Sequence, residues 1–537
     1  MKKNIIILSL MLVWTISSVH VLAQEKQDTN KVVIQPSEDL KVDGVIHLPF
    51  QTMKKIRTTG NISVIDADKA LESDSRMDLG SHLAGKITGA LDAWNYHGLG
   101  NTITVVDGVI REARHINIME IEQVTVLKDA YSRMLYGADG DVAVILVTTK
   151  SGAKFKKELK FNFEQGLQTA ISKPKFLDAA SYMETYNNAY KNDGNANLFY
   201  RQGAIDSTRN NSDPVLYPNS DYWGSDFVNN TANFTNFYSE ASGGDEKVQY
   251  FMNLGWKSSK GMMALPENDG SNVFNIRGKV DYQVTDWLKM KADIVAIFDF
   301  YKGPQSLTFY NDASILLPNS FPLLIPKDRV KNLDNLSGQN PVGNSLLGGT
   351  SVYQQNLYGD MVRGGNRSEV NRFLQYMVGF DISLEKLTKG LKLTGLADLD
   401  FFNYYSQFVN DDYAIYQVGA PDADKKFNLT KIGVDKFTTA QTVNNDFSSF
   451  SRSVNGYLTA NYDRTFGKHQ ISAVALGYYK QTTFRGVAQD VKRLRFGGQA
   501  NYTYDNKYIL EVGLLTEGSN KMAPGSRFKT VPSFGAA

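Results

Sequence analysis

The sequence predicts an α+β domain followed by the antiparallel strands of a transmembrane β-barrel, and three observations carry that reading. Between residues 153 and 537, apolar and polar residues alternate with a period of two over one run after another, the mark of strands with one apolar and one polar face. The connections between these runs are alternately short and long, as in outer-membrane barrels. Beyond the first residues no apolar run approaches the ~18 residues a spanning helix needs, so any crossing of a membrane is made by strands.

Composition agrees. The 537 residues include 28 Tyr and 29 Phe, yet mean hydropathy is -0.32, a combination that suits polar strands with aromatic belts. The near balance of 58 basic and 56 acidic residues gives no reason to expect nucleic acid. The absence of cysteine removes disulfides, thiolate metal sites, thiol catalysis and a lipid-modified N-terminus together.

In chain order, Lys2 and Lys3 precede an apolar segment from Ile5 to Ile16, and Val21-Leu22-Ala23 offers a cleavage site. Residues 1–23 are therefore expected to be a signal peptide, giving export and a mature chain from Gln24. Residues 24–49 are polar, weakly patterned and expected to be flexible. Residues 50–152 form the α+β domain, with short helices expected at Asp66 to Leu71 and at Leu79 to Ile87, where Leu79, Leu83 and Ile87 share a face. Its centre is ITVVDGVIREARHINIMEIEQVTVLKDAYSRMLYGADGDVAVILVTTK, Ile103 to Lys150. Strands are expected at Ile103 to Val106, Glu122 to Leu127 and Val142 to Thr149, with a turn at Asp107-Gly108 and a helix from Asp129 to Leu135. A phosphate loop at Tyr136 to Asp141 is rejected, because no Lys-Ser or Lys-Thr follows and Asp139 and Asp141 would repel the anion.

The strands follow. Met252, Leu254 and Trp256 share a face against Gln249, Asn253 and Lys257; Ile276, Val280 and Tyr282 alternate with Arg277, Lys279 and Asp281; Leu494, Phe496 and Tyr502 alternate with Arg493, Arg495, Gln499 and Asn501. Further pairs are expected at 371–384 with 391–402, 453–464 with 469–480, and 493–504 with 508–517. About eleven strands result, each long enough to cross a bilayer with tilt. A soluble β-sandwich would also alternate, but leaves the loop asymmetry and the export signal without a role. Asp398 and Asp400 share the polar face of one strand and read as lumen-facing charges rather than a glycosidase pair. The six scattered histidines show no paired metal spacing, no GxSxG accompanies the serines, and no catalytic residue, cofactor or metal is expected.

Three segments resemble the SusC/RagA family of TonB-linked outer-membrane proteins. Val105-Val106-Asp107-Gly108 followed by IEQVTVLKDA, YGADG and VILVTTKSG is similar to the family's plug signature, which marks Val106, Asp107, Gly108, Lys128, Asp129, Tyr136, Gly137 and Gly140. Tyr217 to Met263 resembles the segment leading into early barrel hairpins, and GSNKMAPGSRFKTVPSFGAA resembles a mid-barrel motif. The resemblance implies that residues 50–152 are a plug and 153–537 the N-terminal portion of a barrel of about 22 strands. It further implies a TonB complex of the inner membrane as energy source, a SusD-like surface lipoprotein as partner, outer-membrane lipid around the strands, and oligosaccharide or peptide as substrate. A TonB-contacting strand is expected between Asp39 and Phe50, with Val42, Val45 and Ile46 as candidates. Tyr217, Tyr222, Trp223 and Tyr310 are candidate substrate-facing loop aromatics.

Departures from the family pattern shape the remaining expectations. ALDAWNYHGLGNT after Gly89 replaces a longer family segment, and Asp139 stands where the family usually has arginine, which is expected to weaken plug locking. An odd set of strands with no closing strand is expected to be a split or truncated transporter, with a structural or adhesion barrel, or a non-transporting remnant, as the alternative. A secreted, soluble β-rich glycan-binding protein is the second alternative.

Overall fold

The structure, a computed structural model, describes residues 44–66, 79–83, 85–92, 95–96, 102–111, 113, 116–265, 269–305, 308–336, 342–437, 442–443 and 449–537. The expected signal peptide, Val42 and the expected helix after Asp66 lie outside them.

The first part is built on β3 (Ile62–Asp66), β4 (Ile103–Val106), β5 (Val109–Ile110), β6 (Ile121–Leu127) and β7 (Val144–Thr149). They form one mixed sheet in the order β3-β6-β7-β4-β5, with β4 parallel to β7. Successive residues of β7 enter different cores: Ile145 and Val147 pack with Val124, Val126 and helix α1 (Leu79–Leu83), while Val144 and Leu146 pack with Ile62, Val64 and Ile46. Burial on both faces explains why VILV reads as a continuous apolar run. Ile46 belongs to β1 (Val45–Leu48), which forms a hairpin with β2 (Gln51–Lys54) over the second face. The helix after Asp129 is shorter than expected: α2 spans Ala130–Arg133, with the Asp129 carboxylate capping it by accepting from Ser132 N, and 3-10 turns continue from Met134 to Asp141.

The second part is a single antiparallel sheet. Its strands are β8 (Glu158–Thr169), β9 (Thr231–Gly244), β10 (Val248–Lys260), β11 (Gly270–Thr285), β12 (Leu288–Pro304), β13 (Gly365–Ser383), β14 (Leu391–Asn410), β15 (Ser449–Phe466), β16 (His469–Phe484), β17 (Val491–Tyr504), β18 (Tyr508–Ser519) and β19 (Phe528–Ala536). They lie in chain order, with Thr442–Val443 added beside β14. Among the described residues there are thus twelve strands in sequence rather than about eleven, the additional one being β19, which pairs with β18. The odd parity expected from the sequence is corrected: β8 begins, and β19 ends, at the end of the sheet that carries the short turns. The alternation has the inverse sense of a soluble protein. Met252, Leu254, Ile276, Ile294 and Phe496 face outward, while Asn253, Arg277, Asp293, Asp398 and Arg495 are buried on the concave side against the first part.

The long connections are folded rather than open loops. Helices α3 (Ala179–Asn192), α4 (Gln202–Arg209), α5 (Phe309–Ile315) and α6 (Leu357–Arg363) and the hairpin of Ile415–Pro421 with Phe427–Ile432 enclose three apolar clusters of their own.

Candidate functional site: the seat of the plug

The α+β domain meets the sheet through polar clasps, and the turn Asp107-Gly108 makes the first. Val106 pairs with Val109, leaving a two-residue turn in which both Asp107 (φ 49°) and Gly108 (φ 88°) are left-handed, the requirement of a type I′ hairpin and the reason Asp-Gly stands there. The Asp107 carboxylate then accepts from Thr149 N at 3.0 Å and Thr149 Oγ1 at 2.6 Å and faces Arg277 Nη2 of β11 at 2.7 Å, with Lys279 Nζ at 3.9 Å. Burial would push its pKa up, but the two cations and the Thr149 bonds outweigh it and hold the carboxyl at about 2.

Arg277 is the hub of this clasp. It also pairs with Asp293 of β12 and lies 3.7 Å from Glu120, whose other contacts are Asn253 Nδ2 at 3.1 Å, Asn275 Nδ2 at 3.3 Å and Asn117 N at 2.9 Å. Glu120 is fully buried, and that burial raises its pKa despite the neighbouring guanidinium.

The second clasp stands on the other side of the same hairpin. Arg111 pairs with Asp398 and Asp400 of β14 and donates to Gln375 Oε1 at 3.0 Å; Asn455 Nδ2 of β15 donates to Asp398 at 2.8 Å.

The third clasp corrects the expectation about Asp139. Its carboxylate pairs with Arg493 and Arg495 of β17, and Arg495 in turn pairs with Glu517 of β18 at 3.0 Å. Glu517 accepts from Ala138 N at 2.6 Å. Gly137 (φ 57°) permits this approach, since a Cβ there would lie 2.3 Å from Glu517 Oε2. The negative residue is therefore met by two arginines on the wall, and the turn is anchored. At the short-turn end, Arg57 pairs with Asp463 at 3.1 Å, and Asn501 Nδ2 donates to Arg57 O at 2.6 Å and Glu511 Oε1 at 3.0 Å.

The structure gathers some of the residues singled out in the sequence and separates others. Val106, Asp107 and Gly108 form the first clasp and Gly137 the third. Lys128 is internal to the domain, donating to Ser63 Oγ at 2.8 Å and Thr88 O at 3.0 Å; Tyr136 is buried against Phe50; and at Gly140 a Cβ would lie 2.7 Å from Arg133 O. Val45 is exposed but Ile46 is fully buried. The Trp223 and Tyr310 rings meet at 5.6 Å, tilted by 36°, and Phe176 stacks on Trp223 at 6.2 Å. Tyr222 is buried in the same loop cluster, and Tyr217 stands apart from it. Sequence reasoning missed Arg111, Glu120 and Glu511 as seat residues. For Glu511 the available signal was charge on the concave face of a strand, as for Arg277, Asp398, Arg493 and Arg495; Arg111 and Glu120 lie outside the strands of the large sheet and carried no such signal.

No family model matches the chain. TonB-dependent receptor P26 of Formosa agariphila is 25% identical over 552 aligned residues, covering 93% of this chain and 50% of that protein. TonB-dependent receptor P3 of the same organism is 23% identical over 286, covering 50% and 26%. The chain thus spans half or less of the length of these curated relatives. Among solved structures, the RagAB peptide transporter superposes with a TM-score of 0.63 at 15% identity, over 89% of this chain and 57% of that one. The RagAB peptide importer in its open-open state gives 0.64 at 15%, over 92% and 58%. The fold is that of a plug with part of a TonB-dependent receptor barrel.

Proposed function

We propose that this chain, SusC/RagA-like in its sequence and in its fold, serves an outer-membrane transporter driven by TonB. The observation that carries the reading is the seat itself: a self-contained domain held by charged clasps against the concave face of a sheet whose other face is apolar. Such a sheet suits a bilayer, and a domain held there by ion pairs closes the passage while remaining removable.

The finer parts of the proposal rest on the resemblance. The substrate is an oligosaccharide or a peptide, and RagAB is a peptide transporter. A SusD-like lipoprotein covers the long-loop side, residues 1–23 direct export, and TonB engages the segment between Asp39 and Phe50. In the conformation described, β1 is paired with β2 and Ile46 is buried, so engagement there begins by opening that hairpin. The domain division at 50–152 and 153–537 and the eight signature residues belong to the same reading.

The test is uptake. Deleting the gene should abolish import of one glycan or peptide, and disabling TonB should have the same effect. A surface lipoprotein should co-purify with the chain in mild detergent. Import unaffected by loss of TonB would refute the mechanism.

A further inference from the structure

Two cavities lie on opposite sides of the hairpin formed by β4 and β5, and the same three strands wall both. The outer one, roughly 490 Å³, is bordered by Asn371 and Gln375 of β13, Asp400 and Phe402 of β14, and Ser451 and Ser453 of β15. The inner one, roughly 480 Å³, is bordered by Met377 and Asp381 of β13, Thr394 and Leu396 of β14, and Tyr457 and Asn461 of β15. The register places the outer set towards the long loops and the inner set towards the short turns.

One rung separates them. Met377 pairs with Asp398 and Asp398 with Asn455, and Asp398 and Asn455, both buried, border neither cavity. Arg111 closes this rung from the domain side, through Asp398, Asp400 and Gln375. Directly inside it, the hairpin tip reaches the wall, where a Cβ on Gly108 would lie 3.1 Å from Tyr457 Oη. Both seals therefore belong to one short segment, Asp107 to Arg111, whose withdrawal also parts Asp107 from Arg277 and Thr149.

We propose that the passage through this protein runs along β13, β14 and β15 and is gated by the Arg111 clasp, so that withdrawal of the hairpin tip opens it while the rest of the domain stays seated. The proposal rests on the transporter reading and specifies its route. A substrate in the outer cavity touches Arg111 and competes with Asp400 for it, which links occupancy to the gate.

The chain has no cysteine, so introduced thiols are read without background. Ser453→Cys reports the outer cavity, Asn461→Cys the inner one, and Gln249→Cys, buried on β10 and bordering neither cavity, a part of the wall away from the route. Intact cells carrying the full chain are treated with a membrane-impermeant maleimide. Ser453→Cys should be labelled in the parent and Asn461→Cys should not. Adding Arg111→Ala, or the shape-conserving Asp398→Asn, should raise labelling of Asn461→Cys at least tenfold and leave Gln249→Cys unlabelled.

Labelling of Asn461→Cys in the parent, no gain with either variant, or an equal gain at Gln249→Cys would overturn the proposal; the last result would mean that the whole domain leaves. If Arg111→Ala fails to fold, Asp398→Asn decides alone. Uptake is scored separately: gated labelling without import sinks the transport reading and keeps the route, whereas import with unchanged labelling does the reverse.

Discussion

Arg277→Met is the most informative single perturbation of the seat. Arg277 is 2% exposed and faces three carboxylates, with Asp293 at 3% and Glu120 at 0% exposure. Removing one partner of a buried ion pair costs about 3–5 kcal/mol, because the charge left behind has neither water nor counter-ion. Two features pull the value towards the lower end. Lys279 remains 3.9 Å from Asp107, and Glu120, whose pKa burial already raises, can take up a proton. The expected loss is about 3 kcal/mol, roughly a hundredfold in the seated-to-released ratio.

The assay is limited proteolysis of the α+β domain in the detergent-solubilised chain, backed by denaturant midpoints. A double-mutant cycle with Asp107→Asn separates the clasp from general damage, since residues in one ion-pair network couple by about 0.5–3 kcal/mol. Protection unchanged within ~0.5 kcal/mol, or an additive cycle, would refute the assignment of Arg277 as hub.

Further outcomes follow from the same geometry. Asp139→Lys places a cation against Arg493 and Arg495 and should release the Met134–Asp141 turn, with Arg493→Glu restoring part of the protection. Gly137→Ala should cost about 1–3 kcal/mol, since its φ is 57° and its Cβ would meet Glu517, and should show as a lower melting temperature. The pH response is set by sign. Asp107 titrates at about 2 in the seat against an ordinary 3.8, so its contribution is complete above pH ~4 and is lost as pH falls through 2; protease protection of the domain should hold at pH 5 and decline below ~3. Ile294→Lys, on the outward face of β12 and 53% exposed, should cost about 2–4 kcal/mol of insertion if that face meets lipid, measured as recovery of the chain in membrane rather than aggregate.

The alternation of β10 to β18 was legible because a strand in this setting has only two environments, and a period of two assigns every residue to one of them. The first clasp was half legible. Val-Val-Asp-Gly announces a type I′ turn, but nothing in it names Arg277, 170 residues away, because that partner depends on the register of strands paired far along the chain. The strand β19 escaped detection for a local reason. FKTVPSFGA contains Pro532, which cannot donate to a ladder and is confined to edges, and among the described residues β19 pairs on one side only. Asp139 misled because a charge has no meaning without its partner: judged alone it opposed locking, whereas beside Arg493 and Arg495 it provides it. Val45 and Ile46 lie in a stretch that reads as polar linker, and the hairpin that buries Ile46 depends on the sheet face behind it.

The distribution of apolar contact explains how such a domain can be both seated and movable. Its two cores are internal, so loss of the seat leaves the fold intact. The clasps of Asp107, Glu120 and Arg111 are polar, and although each charge-assisted bond to the wall is worth about 1.5–3 kcal/mol net, its groups regain water when it opens. One region differs. Met134 and Leu135 pack with Val474, Leu476, Tyr478 and Leu515 of β16 and β18, and separating such side chains from the wall exposes apolar surface at about 25 cal/mol per Å² with no compensating partner in water. Next to the Asp139 clasp, this contact pins one flank of the domain, while the flank carrying Asp107 to Arg111 is held by polar contacts that water can replace. A pull on the N-terminal side therefore meets unequal resistance, and the hairpin flank yields first.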